Sequence, residues 1–184
     1  VVVSLVVGVM FGSQFNSNWS EILLMFNAQS FGTADPQFGI DNGFYVFVLP
    51  GLRLVMSAVS MLLLMGIVFS VVTHAMMGGI RFTMPVHGRG VLAVTKRARR
   101  QIGIWLILNM LAWSAHQVIG VFTHLTQQGD RITGAAYTTV HATIPVTFIM
   151  AAITAMLGVF LGVWLMRSHA LEGAAKPSVR AAAA

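Results

Sequence analysis

The sequence predicts an all-α integral membrane protein: a helical bundle of three complete spans plus one truncated span, with short surface helices in its loops. Composition is the first reason. Over 184 residues, 57% are hydrophobic and 9% charged, with a mean hydropathy of +0.80, far too apolar for a water-soluble domain of this size. The second is recurrence of apolar runs of about 20 residues, the length that crosses a bilayer core of about 30 Å. The third is charge placement. Nine of the eleven Lys and Arg residues fall in Arg81–Arg100 and Arg167–Arg180, so basic and neutral-to-acidic connections alternate as the positive-inside rule requires.

The chain opens at Val1 inside an apolar run, and residues 1–13 read as a truncated transmembrane helix belonging to a longer chain. Residues 14–50 form an outer loop. Within it, Asn18 followed by Glu21 predicts a capping box, and Trp19, Ile22, Leu23 and Phe26 recur on one face of a short interfacial helix. Gly32, Pro36, Gly39 and Gly43 predict turns, to which Asp35, Asp41 and Asn42 add turn formation and helix capping. Phe44–Leu49 reads as extended and aromatic until Pro50 opens the next helix. Residues 51–80 are the first complete span and 81–101 a basic cytoplasmic loop with a surface helix over Val91–Arg100. Residues 102–122 are the second span, 123–143 an outer loop, 144–167 the third span and 168–184 a cytoplasmic tail.

Few residues in these spans carry chemistry. No Asp, Glu or Lys falls within a complete span, and Arg53 sits at an outer span end, where it can snorkel to headgroups. The chain has no Cys, which excludes disulfides, thiol catalysis and iron–sulfur ligation within it. No nucleophile elbow, P-loop or dinucleotide fingerprint is present, so no enzyme is expected and no catalytic residue is nominated. His74 and His116 stand about 20 Å apart in depth and cannot share a haem iron. His124 and His141 lack the spacing of a zinc site; no cofactor and no metal site is expected.

The small and polar residues have a packing use instead. Gly8 with Gly12, and Gly158 with Gly162, are small-xxx-small patches for close helix approach. Asn109, Trp113 and His116 share a helical face with Gly120 and are assigned to contacts with neighbouring helices. Arg81, Lys96, Arg97, Arg99 and Arg100 are assigned to anionic lipid headgroups at the cytoplasmic face of the lipid bilayer. Confinement of the basic charge to membrane-flanking loops argues for no nucleic-acid partner. Trp19, Asp35, Pro36, Phe38, Gly39, Phe44, Tyr45 and Phe47 are expected to fold back over the outer helix ends as the main contact surface.

The stretch Phe31-Gly-Thr-Ala-Asp-Pro-Gln-Phe-Gly-Ile-Asp-Asn-Gly-Phe-Tyr-Val-Phe-Val-Leu-Pro50 closely resembles a signature of uncharacterised protein family 0182, large bacterial membrane proteins common in actinobacteria and cyanobacteria. His74 followed by Gly78-Gly79-Ile80-Arg81, and then Thr133-Gly134-Ala135-Ala136-Tyr137-Thr138-Thr139-Val140 ahead of Ile144-Pro145, resemble later motifs of that family in the same order. Ala75 stands where the family usually has Tyr, and Thr139 where it has Asp. The resemblance implies a larger multi-span parent with a large extracytoplasmic region, and no established activity. The expected role is a structural or interaction module of a larger protein or assembly in the bacterial plasma membrane. Its partner would be another membrane protein or the rest of its own parent chain. The alternative is a component of a transporter or channel whose path is completed by helices outside this chain.

Overall fold

The computed structural model describes residues 8, 9, 12, 18–83, 91–126 and 136–168. Most of the expected truncated span and nearly all of the 168–184 tail lie outside the described residues. The elements are α1 (Trp19–Phe26), α2 (Leu49–Met76), β1 (Ile80–Thr83), β2 (Val91–Val94), α3 (Lys96–Thr123) and α4 (Ile144–Arg167). Among the described residues, three helical segments are long and apolar enough to cross a membrane: Phe44–Met76, Lys96–Thr123 and Thr139–Arg167.

Two of the spans begin with the same device. Wide π-helical turns, Phe44–Val48 and Thr139–Thr143, lead into Leu49-Pro50 and Ile144-Pro145. The N–H of the residue before each proline donates five residues back, from Leu49 to the Phe44 carbonyl and from Ile144 to the Thr139 carbonyl. A proline inside a helix has no N–H to give, and its ring collides with the carbonyl four residues earlier. Widening the preceding turn moves that carbonyl aside. Phe44–Leu49 is therefore helical and not extended, and the helical run starts at Asn42. Asp41 caps it: its carboxylate accepts the Gly43 N–H at 2.7 Å and its carbonyl the Phe44 N–H at 3.0 Å.

The expected capping box at α1 does not form. Asn18 has φ −122° and ψ 20°, outside the extended geometry that aims an N-cap side chain at the helix, and makes no side-chain capping bond. Its carbonyl accepts the Glu21 N–H at 3.1 Å instead.

A second correction concerns the basic loop. Val91–Val94 is a strand, paired antiparallel with Ile80–Thr83 in the register Ile80↔Val94 to Thr83↔Val91, so no surface helix covers Val91–Arg100. The apolar, β-branched run favours a ladder, and the exit of α2 turns the chain into it. Gly78 takes φ +72°, its N–H donates to the Ala75 carbonyl at 3.2 Å, and the Gly79 N–H to the His74 carbonyl at 2.6 Å. This is the paired-bond ending that leaves a left-handed residue just past a helix, where glycine alone is unstrained. The Thr95 N–H extends the pairing to the Gly79 carbonyl at 2.8 Å. Thr95 Oγ1 then caps α3 by accepting the Ala98 N–H at 3.4 Å.

The chain divides into two compact units, Val1–Ser60 with Ala112–Ile153, and Met61–Leu111 with Thr154–Ala184. The first is centred on buried Tyr45, Leu49, Val121, Ile144 and Ala151, and the Ser114 hydroxyl donates to the Ala151 carbonyl at 2.7 Å, tying α3 to α4. The second packs through its glycines. A Cβ at Gly158 would overlap Met110, one at Gly162 would lie 2.8 Å from the Gly103 carbonyl oxygen, and one at Gly66 would lie 2.8 Å from the Trp105 ring. Missing side chains here let helix backbones and bulky neighbours meet directly. On the other faces Leu62, Met156 and Phe160 are more than half exposed, as on a helix whose solvent is hydrocarbon.

Candidate functional site

Among the described residues, the first unit holds the densest polar chemistry in residues 28–43, a segment almost without ladder or helix bonds of its own. Irregular backbone must find acceptors elsewhere, and two aspartates supply them. Asp41 Oδ2 accepts from the Ser30 hydroxyl at 2.5 Å and the Gly32 N–H at 2.9 Å, while Oδ1 accepts the Phe31 N–H at 3.0 Å and the Gly43 N–H at 2.7 Å. These donors favour the ionised form. The Ser30 hydroxyl foremost, then the backbone N–H groups, bring the Asp41 carboxyl from 3.8 down to about 2.

Asp35 organises the turn at the tip. Its Oδ2 accepts the Gln37 and Phe38 N–H groups at 3.1 and 2.7 Å and the Tyr45 hydroxyl at 3.3 Å. The Gly39 N–H closes on the Asp35 carbonyl at 2.8 Å, with Gly39 at φ +67°. An isolated bridge between Ala34 and Asp41 joins the two arms.

So pinned, the segment sets its aromatic rings onto one residue of α3. Phe38, Phe44 and Tyr45 stand 5.1, 5.8 and 6.5 Å, centroid to centroid, from Phe122. The first two are edge-on, the arrangement that ring quadrupoles favour. Phe47 meets Phe31 at 5.5 Å. Gly43 makes the crossing possible, since a Cβ there would run into the Gln29 carbonyl oxygen and sit 2.8 Å from Asp41 Oδ1.

Beside this cluster, α1 lies across the first turn of α2. A Cβ on Gly51 would come within 3.0 Å of both the Glu21 carbonyl oxygen and Met25 Cβ, so only glycine admits α1 there. The contact brings Glu21 to a cavity of about 350 Å³ lined by Pro50, Arg53, Leu54, Ser57 and His116. His116 Nδ1 is buried without a hydrogen-bond partner, and the His116 ring lies 6.3 Å from Trp113.

The residues nominated from the sequence distribute unevenly. Asp35, Phe38, Gly39, Phe44 and Tyr45 converge on the turn and the Phe122 cluster, whereas Pro36 is exposed and Trp19 is 61% exposed on α1. On α3, Asn109 is buried and Trp113 is half exposed, so the expected common packing face is split. Gly158 and Gly162 pack as described; among the described residues, nothing lies within 4 Å of a would-be Cβ at Gly8 or Gly12. Of the cations assigned to lipid, Arg81, Lys96, Arg97 and Arg100 are exposed, but Arg99 is 1% exposed and so is not presented to headgroups. The pitch of α3 turns it inward with Ala98 while its neighbours face out. Arg81 folds back, its Nε donating to the Gly78 carbonyl at 3.0 Å, and His74 Nε2 pairs with Gln101 Oε1 at 3.0 Å.

Sequence reasoning missed Phe122, Gly51 and the grouping of Glu21, Arg53, Ser57 and His116. Pro50, Arg53, Leu54 and Ser57 do recur at the spacing of one helical face, a signal for half of the cavity; nothing in the sequence links that face to Glu21 or His116.

Residues 1–182 match the uncharacterised protein family UPF0182. A UPF0182 protein of Bifidobacterium adolescentis is 75% identical over 184 residues, 100% of this chain. One from Bifidobacterium longum is likewise 75% identical over 184 residues. A UPF0182 protein of Corynebacterium diphtheriae is 34% identical over 160 residues, 86% of this chain. The chain spans 17% of the length of the Bifidobacterium relatives and 16% of the Corynebacterium one. No solved structure matches it.

Proposed function

The chain belongs to the uncharacterised protein family UPF0182, and on that premise we propose that it is a structural and interaction module within the membrane domain of a larger bacterial plasma-membrane protein, not an enzyme. The observation that supports this best is the loop pinned by Asp35 and Asp41 with its rings gathered on Phe122. Such a surface is shaped in advance, so a partner binds it without first having to order it. The partner is another membrane protein or the remaining part of the parent chain. In this reading the loop faces outward, and Arg81, Lys96, Arg97 and Arg100 meet anionic lipid at the cytoplasmic face. Nucleic acid has no part in it.

The test is a gentle-detergent pull-down of the full-length protein from its native membrane. Replacing Phe44, Tyr45 and Phe47 together with alanine should release a stoichiometric partner or loosen the membrane domain. Association and stability both unchanged would sink the contact-surface reading.

The cavity at Glu21, Arg53 and His116 favours a second reading, a component of a transporter or channel completed by helices outside this chain, because ionisable groups among membrane helices commonly mark such paths. Solute flux into vesicles holding the full-length protein, abolished by Arg53→Gln, is the result expected of that reading. Absence of flux across a panel of ions and small polar solutes counts against it.

A further inference from the structure

The same cavity carries a more specific inference. Its walls come from α1, α2 and α3 and hold one carboxylate, one guanidinium, one hydroxyl and one imidazole: Glu21, Arg53, Ser57 and His116. Among the described residues no ion pair joins Glu21 to Arg53, although both border the same space. His116 Nδ1 is buried with no hydrogen-bond partner, which leaves a polar atom for an occupant of the cavity to satisfy.

Charge decides the class of occupant. A simple anion drawn to Arg53 and His116 would face the Glu21 carboxylate, and a simple cation drawn to Glu21 would face the guanidinium. Like charges so placed repel. One occupant satisfies both walls: a short zwitterion, its ammonium toward Glu21 and its anionic end toward Arg53, Ser57 and His116. Guanidinium, hydroxyl and imidazole together can donate to several oxygens at once, which suits a phosphate. A volume of about 350 Å³ is at the small end of ligand sites. Depth points the same way. Trp19, Leu23 and Phe26 of α1 are 61%, 54% and 78% exposed, as on a helix lying in a bilayer interface, and Glu21 leaves that helix toward the cavity at headgroup level.

We infer that the cavity bounded by Glu21, Arg53, Ser57 and His116 binds a phosphoethanolamine group, an ammonium and a phosphate on a short linker, carried either by a lipid or by a free molecule. The site depends on the membrane reading for its depth. It is independent of the contact surface, because Glu21 and Arg53 take no part in the Phe122 cluster.

The full-length protein is the object of the test. In nanodiscs of phosphatidylglycerol, calorimetry with O-phosphoethanolamine, inorganic phosphate and ethanolamine reads the free source. Native mass spectrometry after reconstitution in equal parts phosphatidylethanolamine and phosphatidylglycerol reads the lipid source. Selective binding of O-phosphoethanolamine, selective retention of phosphatidylethanolamine, or both, is the expected result, weakened about tenfold by Glu21→Gln and by Arg53→Gln, or about 1.4 kcal/mol each. Inorganic phosphate binding as tightly as the zwitterion, no lipid preference together with no binding of the soluble probe, or full binding by E21Q overturns the inference. Should either variant fail to fold, Ser57→Ala removes only a hydroxyl. Binding weakened about threefold supports the site, and unchanged binding overturns it.

Discussion

Two connections lead the chain into long apolar helices, and they are held in opposite ways. Residues 28–43, ahead of α2, take most of their bonds from side chains: Asp41 receives four donors and Asp35 three. Residues 77–83 and 91–95, ahead of α3, take most of theirs from backbone, through the Gly78–Gly79 helix ending, the β1–β2 ladder and the Thr95 to Gly79 bond. The contrast teaches where sequence is constrained. A ladder satisfies any side-chain pattern that tolerates a strand, whereas an irregular loop folds only around the particular acceptors that its backbone N–H groups reach. Each connection also needs a glycine, and for different reasons. Gly43 is needed because another backbone occupies the place of its side chain, Gly78 because its φ is +72°.

The sharpest way to break the comparison is at Gly43. Gly43→Ala drives a methyl into the Gln29 carbonyl, which cannot retreat without opening the Asp41 bonds. The expected loss is about 3 kcal/mol, seen as the largest drop in melting temperature of the full-length protein in detergent and as new protease cleavage in the loop. Melting unchanged from the parent would show that the loop is not held as described.

Phe122→Ala comes next. It removes the ring on which Phe38, Phe44 and Tyr45 converge, but Phe122 is only half buried, so the cost should be about 2 kcal/mol, below that of a fully buried Phe. Tryptic cleavage near residue 53 should rise with it.

At Gly78, an alanine Cβ would lie 2.9 Å from the Arg81 guanidinium, the end of an exposed and flexible side chain, so the main cost is holding a left-handed backbone, at about 1 kcal/mol. Gly78→Asn should recover part of that loss, since Asn tolerates this geometry. Recovery by Asn at Gly78 and none at Gly43 would separate a conformational requirement from a spatial one.

The last effect is read only in acid and belongs to Asp41. Its folded pKa is depressed from 3.8 to about 2, so its contribution is complete above about pH 4 and is lost as pH falls from there through about 2. Acid titration of loop protection against protease should show that step in the native protein. Asp41→Asn, which keeps an acceptor oxygen but cannot titrate, should abolish it. An identical step in D41N would assign it to another group.

Much of this architecture is legible in the sequence. Apolar runs of spanning length and the placement of glycines predict three complete membrane helices beside a truncated one, and close approach at Gly158 and Gly162, because length, hydropathy and a missing side chain are local properties; the same pattern at Gly8 and Gly12 meets no neighbour among the described residues. The misreadings have equally local causes. Phe44–Leu49 has β-favouring composition, and a single proline reads as a helix start when it is in fact accommodated by a wide turn. Val91–Arg100 places cations at helical spacing, yet its first four residues belong to a ladder whose other strand ends eight residues earlier, at Thr83.

Neighbours along the chain already dictate the helical class of this protein, its three long apolar helices, the turn-forming role of Asp35 and Asp41, and the aromatic character of the loop. Tertiary structure alone decided that Phe122 receives those aromatics, that Gly51 admits α1, and that Glu21, Arg53, Ser57 and His116 border one cavity. Those partners lie as far as 95 residues apart in the chain, from Glu21 to His116. A residue's own type states what it can bind; only the packing of helices against one another states what stands within its reach.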